Sequence, residues 1–185
     1  RPGDYNTRVL LLVDGYRAND PIYGGGLLGT EFMVDVDLIE RIEFVPGPGS
    51  AVYGSNAFFG VVNVVTKTGE AVGRTEASAE VAGRATTKAR LSHGQRYANG
   101  LDMLVSATTY HRSGQDMYFP EFDDATTNGV AQDLDHDRSK QFFYKASYGA
   151  FSLATAYSSR TKGIPTAAFG QAFNDPRSET TDEQA

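Results

Sequence analysis

The chain contains no cysteine, which excludes both a disulfide framework and thiolate metal sites. Long hydrophobic runs are also missing. The longest obvious one, Val9 to Val13, falls far short of the roughly 20 residues that a membrane-spanning helix needs. A membrane β-barrel is untouched by that absence, because its strands are short and alternate in polarity. Basic charge is in deficit, with 17 Lys and Arg against 23 Asp and Glu for a net charge of -6. That balance argues against a nucleic-acid binder, which would carry a basic stripe. The opening Arg-Pro-Gly-Asp has no apolar h-region after it, so the chain is either cytosolic or lacks its original N-terminus.

The acidic excess is local. Asp116, Glu121, Asp123, Asp124, Asp133, Asp135 and Asp137 lie in one stretch that ends at Arg138, its single base, and the rest of the chain is balanced. Asp133, Asp135 and Asp137 have the odd-position spacing of a calcium loop. Arg138 occupies the place of the required glycine, however, and no glutamate closes the loop, so a solvated acidic loop is the leading reading and a weak cation site the minor one.

The texture changes near Gly69. Before it, short apolar runs are bounded by glycine and proline: Val9–Val13, Leu38–Val45 and Val61–Thr66 read as buried strands. Thr30–Asp37 fits one or two helical turns, and Ser50–Phe59 a short helix or compact loop. After Gly69, five longer segments alternate: Thr75–Val81, Thr87–His93, Leu101–Arg112, Gln141–Tyr148 and Phe151–Arg160. Their lengths approach the roughly 9–11 residues of a tilted membrane strand. Short links join the second to the third and the fourth to the fifth, while Ser113–Ser139 and the stretch from Thr161 onward are long. Alternating short and long connections, with Tyr110, Tyr148 and Phe151 near strand ends, suit an outer-membrane barrel. A soluble antiparallel sandwich alternates equally well, and periodicity alone leaves both open.

Arg8-Val-Leu-Leu-Leu-Val-Asp14-Gly15-Tyr16-Arg17 followed by Asn19-Asp20-Pro21, and the run IERIEFVPGPGSAVYGSNAFFGVVNVVTKTG from Ile39 to Gly69, resemble the two plug signatures of TonB-dependent outer-membrane receptors. The resemblance implies a mainly β fold: residues 1–68 as the C-terminal half of a small mixed plug, and residues 69–185 as the first five or so strands and loops of a transmembrane β-barrel. It also implies that the original N-terminus, with the segment that recruits TonB, lies outside this chain, as do most of the about 22 strands of such a barrel.

The implied function is TonB-dependent uptake of a scarce ligand across the Gram-negative outer membrane. The cargo would be a small molecule or metal chelate, such as a ferric siderophore, haem, cobalamin or glycan; the partners would be TonB and outer-membrane lipid, with no nucleic acid and no cofactor. A soluble β-rich binding or adhesion module is the alternative. By the resemblance, cargo would meet the apical loop Arg17–Gly29, where Arg17, Asn19, Asp20 and Tyr23 supply charge, amide and aromatic surface, although Asn19-Asp20-Pro21 could equally be only a turn. Ser113–Ser139 would be a second such loop.

Asp14, Gly15, Gly47, Gly49, Tyr53, Gly54 and Asn63 read as architectural, with the glycines of the second signature permitting close backbone approach. The family's usual arginine before Gly-Pro is Pro46 here, and its usual Gly-Gly is Phe59-Gly60. In many relatives that arginine pairs with barrel glutamates, so Arg41 becomes the candidate ion pair between plug and barrel. Catalysis finds no matching pattern. His93, His111 and His136 share no metal spacing, and Gly24–Gly26 lacks the lysine and Ser/Thr of a phosphate loop.

Overall fold

Five consecutive aliphatic residues form β1 (Val9–Val13), a composition that suits a strand covered on both faces. It ends at Asp14-Gly15, both at positive φ (50° and 84°), which is what a two-residue hairpin turn requires to match strand twist. The chain returns as β2 (Tyr16–Arg17). After the loop come β3 (Ile39–Pro46), the one-turn helix α1 (Ser50–Tyr53) and β4 (Gly60–Thr66). These strands build one sheet in the order β2-β1-β4-β3, with β1 and β4 parallel and β3 antiparallel to β4. The computed structural model describes residues 6–27 and 29–185, with the backbone alone at Phe169. The opening Arg-Pro-Gly-Asp, and Leu28 of the apical loop, lie outside the described residues.

Residues 30–37, expected as helical turns, form two 3-10 turns, Gly29–Glu31 and Val36–Leu38. The second is capped by Asp35, whose carboxylate accepts the Asp37 N–H. Next, α2 (Gly69–Val72) is capped by Thr68, whose hydroxyl accepts the Ala71 N–H at 3.1 Å.

A second sheet then runs through β5 (Thr75–Ala82), β6 (Thr86–Arg96) and β7 (Asp102–Arg112). A small ribbon of β8 (Met117–Tyr118) and β9 (Val130–Ala131) sits inside the next connection. The sheet resumes with β10 (Asp137–Tyr148), β11 (Phe151–Gly163) and β12 (Glu179–Gln184). All six long strands are antiparallel, in the order β12-β11-β10-β7-β6-β5.

The five expected strands are present, and most are longer than their apolar alternation. β10 starts at Asp137 and not Gln141, because Asp-Arg-Ser-Lys carries polar groups on both faces and hides the period. β12 has no apolar alternation to read and is held by its ladder to β11.

The six-stranded sheet has reversed polarity. Its inward rows hold Arg90, Ser92, Ser106, Thr108, Asp137, Ser139 and Ser158, all buried. Its outward rows hold Val81, Leu91, Phe142, Tyr148, Phe151, Leu153 and Tyr157, all exposed. Leu104 and Phe143 are the fully buried apolar exceptions on the inward side. They join Val13, Phe32, Val34, Leu38 and Val64 of the first region in one cluster. A smaller cluster of Leu10, Leu12, Ala57 and Val61 fills the opposite face of the first sheet.

Candidate functional site

Polar clasps hold the two sheets together. In the first, Asp14 accepts the Thr66 N–H at 2.9 Å and the Thr66 hydroxyl at 2.5 Å, while Lys145 of β10 reaches the same carboxylate at 3.0 Å. The second joins the turn at Asp35 to β6 and β7. Lys88 Nζ lies 2.9 Å from Asp35 and 2.8 Å from Asp37, and the Thr108 hydroxyl donates to Asp35 at 2.7 Å. Arg90 adds contacts to Asp37 at 3.6 Å and Glu76 at 3.3 Å.

The third clasp gathers around Asp137. Thr30 Oγ1 donates to it at 2.8 Å, Arg160 pairs with it at 3.1 Å and with Glu31 at 2.9 Å, and Gln141 donates to the Phe32 carbonyl. The segment from Thr30 to Asp37 is therefore fastened to the six-stranded sheet at both ends. Burial alone would raise the pKa of Asp35, but hydrogen bonds from Lys88, the Asp37 N–H and Thr108, with the Lys88 charge, outweigh it and hold the carboxyl below its usual value.

Arg41, expected to link the two parts, pairs instead with Glu40 (3.6 Å) and Glu43 (2.8 Å) of its own strand. It sits on an edge strand, half exposed, beside a groove of about 480 Å³ shared with Asp14, Asn63 and Lys145. The linking cations come from the other sheet: Lys88, Arg90, Lys145 and Arg160. Asn63 finds two partners, accepting the Gly15 N–H at 3.0 Å and donating to Glu43 at 2.9 Å. The Asn63 amide, followed by Arg41, lowers the Glu43 pKa.

The apical loop is ordered by its own side chains. Asn19, 8% exposed, accepts the Leu11 N–H at 2.8 Å and donates to the carbonyls of Val9 (3.1 Å) and Gly24 (3.0 Å). Asp20 accepts the N–H groups of Ile22 and Tyr23 at 3.0 and 2.8 Å, the expected turn. Arg17 reaches Ser55 at 2.9 Å and also Asn56. Tyr23 and Ile22 present 70% and 80% of their surface to solvent. Asn56, which the sequence did not single out, ties this loop down by donating to the carbonyls of Thr7 (2.7 Å) and Gly24 (2.9 Å). Its one signal is a polar residue between two turn-forming stretches, too common to choose.

Among the glycines of the second signature, Gly47 and Gly54 sit at positive φ with open space where a Cβ would point. Their requirement is conformational; Gly49 packs under the Tyr53 and Val61 side chains, and the expected close backbone approach occurs at Gly60 against the Val45 oxygen and at Gly69 against the Met103 oxygen.

Asp133, Asp135 and Asp137 do not converge on a cation site: no group of three metal-ligating side chains occurs among the described residues. Asp135 is committed to Arg112 and Lys162, and Asp137 to Arg160. The long loops on this side interlock, with Phe122 stacked on Phe173 at 4.4 Å and Asn174 accepting the Gln132 N–H at 2.9 Å.

Residues 3–61 match the family described as TonB-dependent Receptor Plug Domain. Over 119 residues, 64% of its length, the chain is 34% identical to the vitamin B12 transporter BtuB of Vibrio vulnificus (strain CMCP6), of which it spans 19%. In structure it is similar to the siderophore receptor PirA from Pseudomonas aeruginosa. The TM-score is 0.53 at 19% identity, covering 84% of this chain and 26% of that one.

Proposed function

The chain belongs to the TonB-dependent receptors, and from that premise we propose that it serves energised uptake of a scarce small-molecule or metal-chelate ligand across the Gram-negative outer membrane. In this reading residues 1–68 are plug and residues 69–185 are lipid-facing wall. TonB would rearrange the plug.

The supporting observation is the reversed polarity of the six-stranded sheet. Seven large apolar side chains point away from the protein while serines, threonines and charges line the side that meets the first sheet. Burying one such side chain is worth about 1.5–3 kcal/mol. Leaving seven partly in water forgoes roughly 10 kcal/mol, comparable with a whole domain's net stability. A soluble binding module would hide that face, whereas a barrel wall presents it to hydrocarbon.

The proposed cargo surface is the apical loop. Asn19 and Asp20 fix its shape; Arg17 and Tyr23 face outward beside Ile22. The interlocked loops at Phe122 and Phe173 form the rim of the same mouth. Deletion of the encoding gene, followed by complementation, tests this with labelled ferric siderophores, haem, cyanocobalamin and oligosaccharides, with and without an uncoupler. Restored, uncoupler-sensitive accumulation of one of them is expected. Recovery of the protein in the soluble fraction, with no energy-dependent uptake of any, would overturn it.

A further inference from the structure

The short turns 97–101 and 149–150 mark one end of the six-stranded sheet, opposite the long connections. At this end the outward face carries Tyr97, Tyr148 and Phe151, an aromatic fringe of the kind that sits at a membrane–water boundary. Just beside it, where α2 meets β5 and β6, lies an open groove of about 870 Å³ lined by Glu70, Arg74, Thr75, His93, Arg96 and Tyr97, among others. Two guanidinium groups face one carboxylate there, and Arg96 alone answers it, at 2.8 Å from Glu70. Arg74 has no side-chain partner among the described residues. The Thr75 hydroxyl is 2.9 Å from His93 Nδ1, which leaves the other ring nitrogen for the groove.

We propose that this groove holds the phosphodiester headgroup of an anionic phospholipid from the leaflet on the short-turn side. Arg74 would be the principal cation, with Arg96, His93 and Tyr97 supplying further donors. The occupant is a lipid and not a free anion because the groove adjoins the apolar outward rows, where Leu91 continues from His93 along β6. A headgroup seated at Arg74 can therefore lay its acyl chains along Ala77 and Leu91, which face each other across the β5–β6 ladder. Each cation near an anionic lipid surface adds about fivefold to retention. The inference rests on the wall reading above.

The test uses the full chain in nanodiscs of phosphatidylcholine doped with phosphatidylglycerol, with retained lipid counted by native mass spectrometry. Phosphatidylglycerol should be enriched about fivefold or more in the wild type and about fivefold less in Arg74→Gln. Arg84→Gln, which removes a like charge at the opposite end, should change nothing, and Arg74→Lys should restore most of the enrichment. Inorganic phosphate at millimolar concentration should not displace the lipid. Equal retention in a folded Arg74→Gln protein overturns the proposal, and so does displacement by phosphate, which would mark a free-anion site. If Arg74→Gln misfolds by circular dichroism, Arg96→Gln and the Arg74→Lys comparison decide.

A fluorophore on Leu153→Cys, the only thiol in the chain, separates the two readings through quenching by brominated acyl chains. No quenching sinks the wall itself. Quenching without phosphatidylglycerol selectivity sinks only the headgroup site.

Discussion

Lys88 on β6 places its ammonium 2.9 Å from the carboxylate of Asp35, a residue 4% exposed and 53 positions away in the chain. The pair joins the turn before β3 to the six-stranded sheet, with Thr108 and Asp37 completing the shell. Truncating one partner of a buried pair leaves the other charge uncompensated, which is costlier than never having had the pair. Lys88→Met should therefore destabilise the folded chain by about 2–4 kcal/mol in denaturant titrations. Lys88→Met combined with Asp35→Asn should recover a large part of that loss. Additive losses in the double variant would show that the two side chains do not act as a unit.

Acid should open the same clasp. Hydrogen bonding to Lys88, the Asp37 N–H and Thr108 holds the folded carboxyl of Asp35 below its ordinary 3.8, overcoming the opposing effect of burial. A depressed carboxyl stabilises the fold fully above its unfolded pKa and loses that contribution as pH falls through the folded value. Wild-type stability should thus decline on going below about pH 4, and Asp35→Asn should flatten that decline while lowering stability at neutral pH. An unchanged acid limb in Asp35→Asn would assign the decline to other carboxylates.

The strands that sequence reading found and those it missed differ in one physical respect. In β5 to β7 small and branched apolar residues alternate with polar ones, as Ala77, Ala79 and Val81 do with Glu76, Ser78 and Glu80, and period two is visible. At the start of β10 the inward residues Asp137 and Ser139 and the outward Arg138 and Lys140 are all polar, so the period vanishes although the ladder to β7 and β11 continues. The clasps were illegible for a different reason. Arg160 and Glu31 are 129 residues apart, and no local pattern encodes a contact of that span. Arg41 stands near the motif position held by Pro46, but the cations that face the first sheet are set by which rows of β6, β10 and β11 point inward. Asp14 and Gly15 are readable because turn chemistry is local, whereas Asn63 shows only as a polar residue among valines, and its partners Gly15 and Glu43 lie 48 and 20 residues away.

Within the apical loop, stability and ligand contact should separate by residue. Asn19→Ala strips partners from the Leu11 N–H and two carbonyls in a nearly closed environment, and should cost about 1–3 kcal/mol. Tyr23→Ala, at a side chain 70% exposed, should stay within about 0.5 kcal/mol of wild type. Urea midpoints of the two variants check this, and a Tyr23→Ala loss equal to that of Asn19→Ala would make the whole loop structural.

Gly94 on β6 tests how α2 seats against the sheet. A Cβ there would lie 2.7 Å from the Val72 Cβ and 2.8 Å from the Gly69 carbonyl oxygen, while one on Gly69 would fall 2.1 Å from the Met103 oxygen. The approach is therefore backbone on backbone, with no flexible side chain to yield. Gly94 is in an ordinary strand conformation, so conformational freedom is not why glycine stands there; space is. Gly94→Ala should push α2 off the strand at about 1–3 kcal/mol, and should loosen Val72 from the cluster it shares with Leu104 and Phe143. The neighbouring Ser92→Ala, which removes the hydroxyl contacts to Ser106 and Arg90, both at 2.7 Å, leaves the seat of α2 untouched. Hydrogen exchange at the Val72 and Gly73 amides, both hydrogen-bonded within α2, would rise in Gly94→Ala and stay protected in Ser92→Ala. Equal protection in the two variants would mean that the helix rides on the strand without depending on that gap.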